Sequence, residues 1–190
     1  MNFCSKCGER VERTVPPGDD RERYVCPSCG TIHYRNPRLV VGCIPEWKDR
    51  ILLCLRAIEP CDNMWTLPAG YFENGESVTE GALREAREEA RANLTDLEPY
   101  TLYSIIHINQ VYLLFRARLL DKNFRPGSET REVRLFRLSE IPWEEIAFQA
   151  VKRTLEQYVK DSAAGRFPFH MGDIRRRPPG WLEQRQHGGA

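Results

Sequence analysis

Residues 70–92 read GYFENGESVTEGALREAREEARA, and their periodicity sets how the rest of the chain is read. Ser77 followed three residues later by Glu80 is a capping box, in which each side chain serves the other residue's backbone N–H. A helix is therefore predicted to start at Ser77 and run to about Ala92, with Asn93 supplying a left-handed stop. At about 100° per residue, Leu83, Ala86 and Ala90 share an arc small enough to lie close on a sheet. Glu85, Glu88 and Glu89 form a second arc, and Glu80, Arg84, Arg87 and Arg91 a third. Like charges at this spacing weaken a helix by roughly 0.2–0.5 kcal/mol per pair, so the acid arc needs either solvent or a cation. A solvated surface is the common fate of such a helix. Two neighbours favour a site instead: Arg84 stands one turn before Glu88, and GYFENGE is a loop able to fold over the acids. Hard carboxylate ligands in a flexible cluster suit magnesium or manganese, which gather phosphate oxygens and activate water.

On either side of this helix the pattern changes to strands. LVVGCI at 39–44 and ILLCLRAI at 51–58 are separated by PEWKDR and read as neighbouring strands joined by a turn. YTLYSII, then VYLLFRARLL at 111–120 and VRLFRL at 133–138, are further strands rich in branched and aromatic residues. A second helix is predicted at about 144–160, where Ile146, Ala150, Val151, Leu155 and Tyr158 give a one-sided apolar face. The order implies an α/β domain over 36–160, a mixed sheet with helices packed on it. Residues 161–190 lack periodicity and read as an extension with a disordered end, where Arg175, Arg176 and Arg177 are solvated charges rather than a nucleic-acid patch.

Residues 1–35 carry two copies of one pattern, Cys4-Ser-Lys-Cys7-Gly8 and Cys26-Pro-Ser-Cys29-Gly30, with 18 residues between Cys7 and Cys26. Two tight turns, each presenting two thiolates, make a closed tetrahedral site: a structural zinc, with iron in the same geometry or unmetallated cysteines as alternatives. His33 is near, but a fifth ligand is not needed. The polar, turn-rich VERTVPPGDDRERYV between the pairs buries little, so folding there depends on the ion. Cys43, Cys54 and Cys61 have no paired spacing and read as core residues.

The spacing Gly70, five residues, Glu76, seven residues, Arg84-Glu85-Ala86-Arg87-Glu88-Glu89 resembles the Nudix box, G-x5-E-x7-R-E-U-x-E-E-x-G-U. One position departs, the late glycine being Arg91, followed by Ala92. With the ribbon and the strand HINQVY, the chain looks most like ribbon-bearing Nudix enzymes that cleave ADP-ribose and FAD. The resemblance implies an α/β/α Nudix sandwich and metal-dependent hydrolysis of a nucleoside diphosphate linked to another group, releasing AMP. By the motif, Glu85, Glu89 and the Gly70 carbonyl would ligate Mg2+ or Mn2+, and Glu88 would complete the cluster or orient the water. Glu76 would tie loop to helix and Arg84 would hold a glutamate. A further acid often comes from outside the box. GSETREVRLF offers Glu129 and Glu132, and Glu129 is preferred because Glu132 abuts the strand. Which carboxylate acts as general base is left open by coupled acids.

For the substrate base, Tyr34, Trp47, Tyr103, His107 and Tyr112 are candidates, although aromatics pack more often than they bind ligand. NADH pyrophosphatases with a ribbon carry S-Q-P-W-P-F-P-x-S after the box. Between Ala92 and Ala190 only IPWEE at 141–145 shares a Pro-Trp pair, too late in the chain. Hydrolysis of NADH or of nucleoside triphosphates is thus the alternative reaction, and a non-catalytic nucleotide-sensing or nucleic-acid-binding module the alternative class.

The 28 basic and 27 acidic residues of this 190-residue chain give a formal charge of +1, so composition supplies no drive toward nucleic acid or membrane. No apolar run reaches the roughly 20 residues of a membrane span, and MNFCSKCGER lacks the apolar core of a signal peptide. A cytoplasmic protein with a small nucleotide substrate is expected, its ribbon serving to buttress the domain or a homodimer interface.

Overall fold

The computed structural model describes residues 1–175. It divides into two compact units, Met1–Pro37 and the chain from Arg38 onward.

The first unit is a small antiparallel sheet of β1 (Glu12–Thr14), β2 (Arg23–Val25) and β3 (Ile32–His33). Each cysteine pair lies on a turn closed by glycine: the Gly8 N–H donates to the Cys4 carbonyl and the Gly30 N–H to that of Cys26, both at 2.9 Å. Both glycines have positive φ, +80° and +70°, which explains the residue type. The four Sγ atoms lie within 4.8 Å of one another.

The second unit is built on a mixed sheet. Its strands are β4 (Arg38–Trp47), β5 (Arg50–Arg56), β6 (Trp65–Thr66), β7 (Ala69–Tyr71), β8 (Leu94–Ile105), β9 (Gln110–Leu119), β10 (Thr130–Arg137) and β11 (His170–Ile174). The main path runs β10-β5-β4-β9-β8-β11, with β6 on β5 and β7 on β4. The β4–β9 and β8–β11 pairs are parallel and the others antiparallel. Alternation along the strands assigns two faces. Val41, Cys43, Leu52 and Cys54 pack with Ala82, Ala86 and Ala90 of α1 (Val78–Ala90). Ile44, Ile51 and Leu53 pack with Val151, Leu155 and Tyr158 of α2 (Gln149–Ala164). A helix on each face makes the α/β/α sandwich, and Cys43, Cys54 and Cys61 are buried. No helix among the described residues is long and apolar enough to cross a membrane.

Three elements differ from the sequence reading. Helix α1 carries the expected Ser77–Glu80 capping box, but its left-handed stop is Arg91 at φ 50°, not Asn93. Asn93 is already engaged with the sheet, accepting from the Leu120 N–H at 2.9 Å, so the turn must come earlier. Helix α2 begins at Gln149 rather than near 144. Ile146 forms a parallel bridge with Trp65, and the Ala147 N–H donates to the Trp65 carbonyl at 2.8 Å, which holds this segment extended. Beyond Asp161, α2 continues to Ala164, and β11 adds an edge strand parallel to β8. The stretch FPFHMGDI is thus part of the sheet system. The expected disordered end, with Arg176 and Arg177, lies outside the described residues.

Strand β7 can lie close on β4, on the face opposite α1, only because position 42 carries no side chain. A Cβ on Gly42 would collide with the Ala69 side chain and the Pro68 carbonyl. Gly42→Ala is expected to destabilise the fold by about 1–3 kcal/mol, read as a lower urea midpoint. An unchanged midpoint would show that this approach is slack.

Candidate active site

The acid arc of α1 does not face water uniformly. Glu85 and Glu89 are buried, whereas the Glu88 side chain is 57% exposed. Arg84 ties the group together. Its Nε donates to Glu76 Oε2 at 3.0 Å and its Nη2 to Glu76 Oε1 at 2.9 Å. Nη1 donates to Glu85 Oε1 at 2.6 Å and Glu88 Oε2 at 3.1 Å, and Nη2 also to the Tyr71 carbonyl at 3.0 Å. This fork brings Glu76 and the GYFENGE loop onto the helix, and with the Glu73 N–H it holds the Glu76 carboxyl down at about 2.

Gly70 lies so near Glu85 that a Cβ there would meet both its carboxylate oxygens. Glu89 Oε2 accepts from the Ala69 N–H at 3.2 Å. Burial, then the charge of Glu85, pushes the Glu89 carboxyl up to about 8. Burial also raises Glu85, although Arg84 opposes it.

Glu129 reaches this group through a loop that closes the end of α1. The Arg125 N–H donates to the Ala90 carbonyl at 2.8 Å and that of Gly127 to the Glu89 carbonyl at 2.9 Å, capping two carbonyls left free by the helix. A cavity of about 790 Å³ is lined by Gly70, Arg84, Glu85, Glu88, Glu89 and Glu129, and also by His107 and Tyr112. Burial raises the Tyr112 phenol to about 12, so it is a neutral donor.

Other sequence candidates lie elsewhere. Glu132 is exposed and faces Arg134 at 3.5 Å. Trp47 lies under Lys122 and does not border the cavity, nor does the buried Tyr103. Tyr34 belongs to the ribbon unit, where Arg23 covers its ring at 5.0 Å. The sequence reading missed Arg38, Arg56, Gln110 and Phe148, which line the cavity. Arg56 left a signal, a charge closing the otherwise apolar run ILLCL.

The donor set fits a hard divalent cation. Two buried carboxylates repel each other, and the backbone of Gly70 lies against one of them. Among the described residues the four thiols are the one group of three or more such side chains whose ligand atoms gather this closely, all within 4.8 Å of one another, so the glutamates form the looser set. Magnesium tolerates that spacing because it keeps several waters and shares its shell with substrate phosphates.

Sequence comparison agrees with this geometry. Residues 2–35 match the family described as Nudix N-terminal, and residues 36–158 match the NUDIX domain. The chain belongs to the Nudix hydrolase family. The crystal structure of a NUDIX hydrolase from Nitrosomonas europaea is 51% identical at a TM-score of 0.88, covering 93% of this chain and 100% of that one. An NAD-capped RNA hydrolase, NudC, of Pseudomonas aeruginosa is 28% identical over 74% of this Nudix chain and 49% of its own length. An ADP-ribose pyrophosphatase of Methanocaldococcus jannaschii is 27% identical over 71% and 78% respectively. The chain thus spans about half the length of the NudC relative.

The raised Glu89 carboxyl sets a pH dependence. Without metal, the folded chain keeps a proton up to about pH 8 that the unfolded chain loses near the ordinary 4.5, so metal-free stability falls as pH rises through that window. A divalent cation requires the ionised form. Calorimetry of Mn2+ binding at pH 7 in buffers of differing ionisation enthalpy should show release of about one proton per chain, vanishing well above pH 8. Absence of proton release at pH 7 would place Glu89 outside the metal shell.

Proposed function

We propose that this protein hydrolyses the pyrophosphate linkage of a nucleoside diphosphate derivative, ADP-ribose or FAD, releasing AMP and a phosphorylated partner. The observation that carries this reading is a single cavity with a carboxylate wall of Glu85, Glu88, Glu89 and Glu129 and an apolar wall that includes Val40, Ile58, Ile105, Tyr112 and Phe148. Its volume of about 790 Å³ leaves room for groups beyond the phosphates.

Glu85, Glu89 and the Gly70 carbonyl would hold Mg2+ or Mn2+, with Glu129 as a further acid. Such an ion polarises phosphoryl oxygens and lowers the pKa of water. Glu88 is the exposed acid beside the buried Glu85 and Glu89 and is tethered by Arg84 at 3.1 Å, a placement suited to orienting water and accepting its proton. Arg84 positions Glu88 and Glu85 and does not itself need to touch substrate. His107 and Tyr112 can hydrogen-bond or stack on the base. In the ribbon, Cys4, Cys7, Cys26 and Cys29 would hold a structural zinc, because four thiols fill a tetrahedron and leave no site for substrate. A second reading, cleavage at an NAD-type cap on RNA, is supported by the NudC relative and weakened by the near-neutral charge of the chain.

Glu88→Gln is expected to lower kcat by about 100-fold or more with melting unchanged, since a neutral oxygen replaces a charged one at the reacting centre. Product analysis over ADP-ribose, FAD, NADH, 8-oxo-dGTP and an NAD-capped RNA oligonucleotide at matched magnesium tests the substrate. Highest kcat/KM on ADP-ribose or FAD, with AMP released, is the expected result. Preference for 8-oxo-dGTP or capped RNA would refute the assignment.

Elemental analysis should find about one zinc per chain. Cys26→Ser should remove it and expose residues before Asn36 to proteolysis while 38–175 stay folded. Purified protein without a transition metal would remove the zinc assignment.

A further inference from the structure

His33 ends β3, beyond the second cysteine turn, and the cysteine spacing assigns it no task. Strand β3 pairs with β2, Tyr24 opposite His33, and the imidazole reaches back to the first cysteine turn, where Nε2 lies 3.3 Å from Cys4 Sγ. The ring stays outside the ligand set, because the group whose ligand atoms all lie within 4.8 Å of one another is Cys4, Cys7, Cys26 and Cys29 without His33. It touches one ligand and not the centre. Cys4 is 3% exposed, so water does little for its sulfur. Polar groups of the chain gather there instead. The Lys6 N–H lies 3.4 Å from Cys4 Sγ, and Thr31 Oγ1 lies 3.1 Å from Cys29 Sγ, itself 3.7 Å from that of Cys4. Four thiolates bring twice the charge of the divalent ion they hold, and a buried excess is costly unless hydrogen bonds offset it.

We propose that His33 is a positioning residue of the ribbon zinc, donating from its Nε2–H to the Cys4 thiolate and so retaining the ion through that ligand rather than by a bond of its own. This rests on the zinc assignment above. A hydrogen bond to an ionised sulfur is charge-assisted, and it offsets part of the excess negative charge without taking a coordination position. It also joins the two halves of the site. Cys4 opens the first cysteine turn and His33 follows the second, so the bond ties the turns together independently of the ion. The Lys6 N–H cannot make that link, because it belongs to the same turn as Cys4. Removing a group that orients a metal ligand in this way typically costs about 10–100-fold in metal affinity.

A role in packing alone is separated by two variants of the full chain. His33→Phe keeps a ring but has no donor. His33→Gln loses the ring but carries an amide N–H at about the reach of Nε2. Zinc affinity is measured by competition with a colorimetric chelator, and the rate of zinc transfer to that chelator is followed alongside. His33→Phe is expected to hold zinc about tenfold or more weaker than wild type and to release it faster, with His33→Gln closer to wild type. Retention by His33→Phe equal to wild type, or by His33→Gln no better than by His33→Phe, would overturn the proposal. Cadmium-113 NMR of the cadmium-loaded chain separates positioning from ligation. A resonance in the four-sulfur range is expected for wild type and for His33→Phe alike, whereas a three-sulfur, one-nitrogen resonance in wild type would make His33 a ligand and refute the assignment. Wild type that takes up neither zinc nor cadmium would remove the zinc reading itself, a result distinct from a zinc site indifferent to His33. Should His33→Phe fail to load metal, nitrogen-15 NMR of the wild-type imidazole decides. In the zinc-loaded chain the proton must reside on Nε2, and a bare Nε2 would refute the assignment.

Discussion

The Arg84 guanidinium, bonded at once to Glu76, Glu85, Glu88 and the Tyr71 carbonyl, is the contact on which the acid wall depends. Without it, Glu85 and Glu88 would repel across one turn of α1, and the loop between β7 and α1 would lose its attachment to the helix. The cation offsets part of the repulsion but cannot neutralise three carboxylates. Burial leaves Glu85 raised even with Arg84 beside it, and raises Glu89 further along the helix, where the charge of Glu85 adds to it. Glu89 meets that burial by keeping a proton up to about pH 8, and a cation held there, as proposed above, would have to displace it.

Close backbone approach makes the burial possible. At Gly70 the loop lies on the Glu85 carboxylate, and at Gly127 a Cβ would strike the Glu88 carbonyl. The second contact brings the loop carrying Glu129 onto the exposed carbonyls at the end of α1, so one set of hydrogen bonds both terminates the helix and delivers a further acid. The Ala57 N–H donates to the Glu129 carbonyl at 2.9 Å, which joins the residue following Arg56 to the same loop. Acid wall and buried arginine are thus parts of one hydrogen-bonded frame.

The far side of the cavity depends on the C-terminal strand. Ile174 of β11 is buried and contributes to the lining. The strand is anchored at its start by His170, whose Nε2 lies 2.7 Å from Asp161 Oδ2, the oxygen that also accepts from the buried Tyr100 hydroxyl at 2.7 Å. Against the burial that would raise it, these bonds hold the Asp161 carboxyl below its usual range. Arg153 of α2 adds a bond to the Asp173 carbonyl at 3.0 Å. Helix α2, β8 and β11 thereby fix one wall together.

Local signals in the sequence were enough for the elements whose cause is local. The capping box set the start of α1, apolar runs rich in branched and aromatic residues set β4, β5, β9 and β10, and the helical period placed Glu85, Glu88 and Glu89 on one face. The cysteine turns were equally legible, because each needs only a glycine and its own four residues. What the sequence could not decide has partners distant in the chain. Arg91 rather than Asn93 ends α1 because Asn93 is held by Leu120, and α2 starts late because Ile146 and Ala147 are held by Trp65. FPFHMGDI has no periodicity of its own, and its strand exists only where β8 offers an open edge and Asp161 a partner for His170. Arg56 looked like a charge closing an apolar strand. Only the tertiary structure buried it beside the acids without a counter-ion, since burial and pairing are properties of the surroundings and not of the residue.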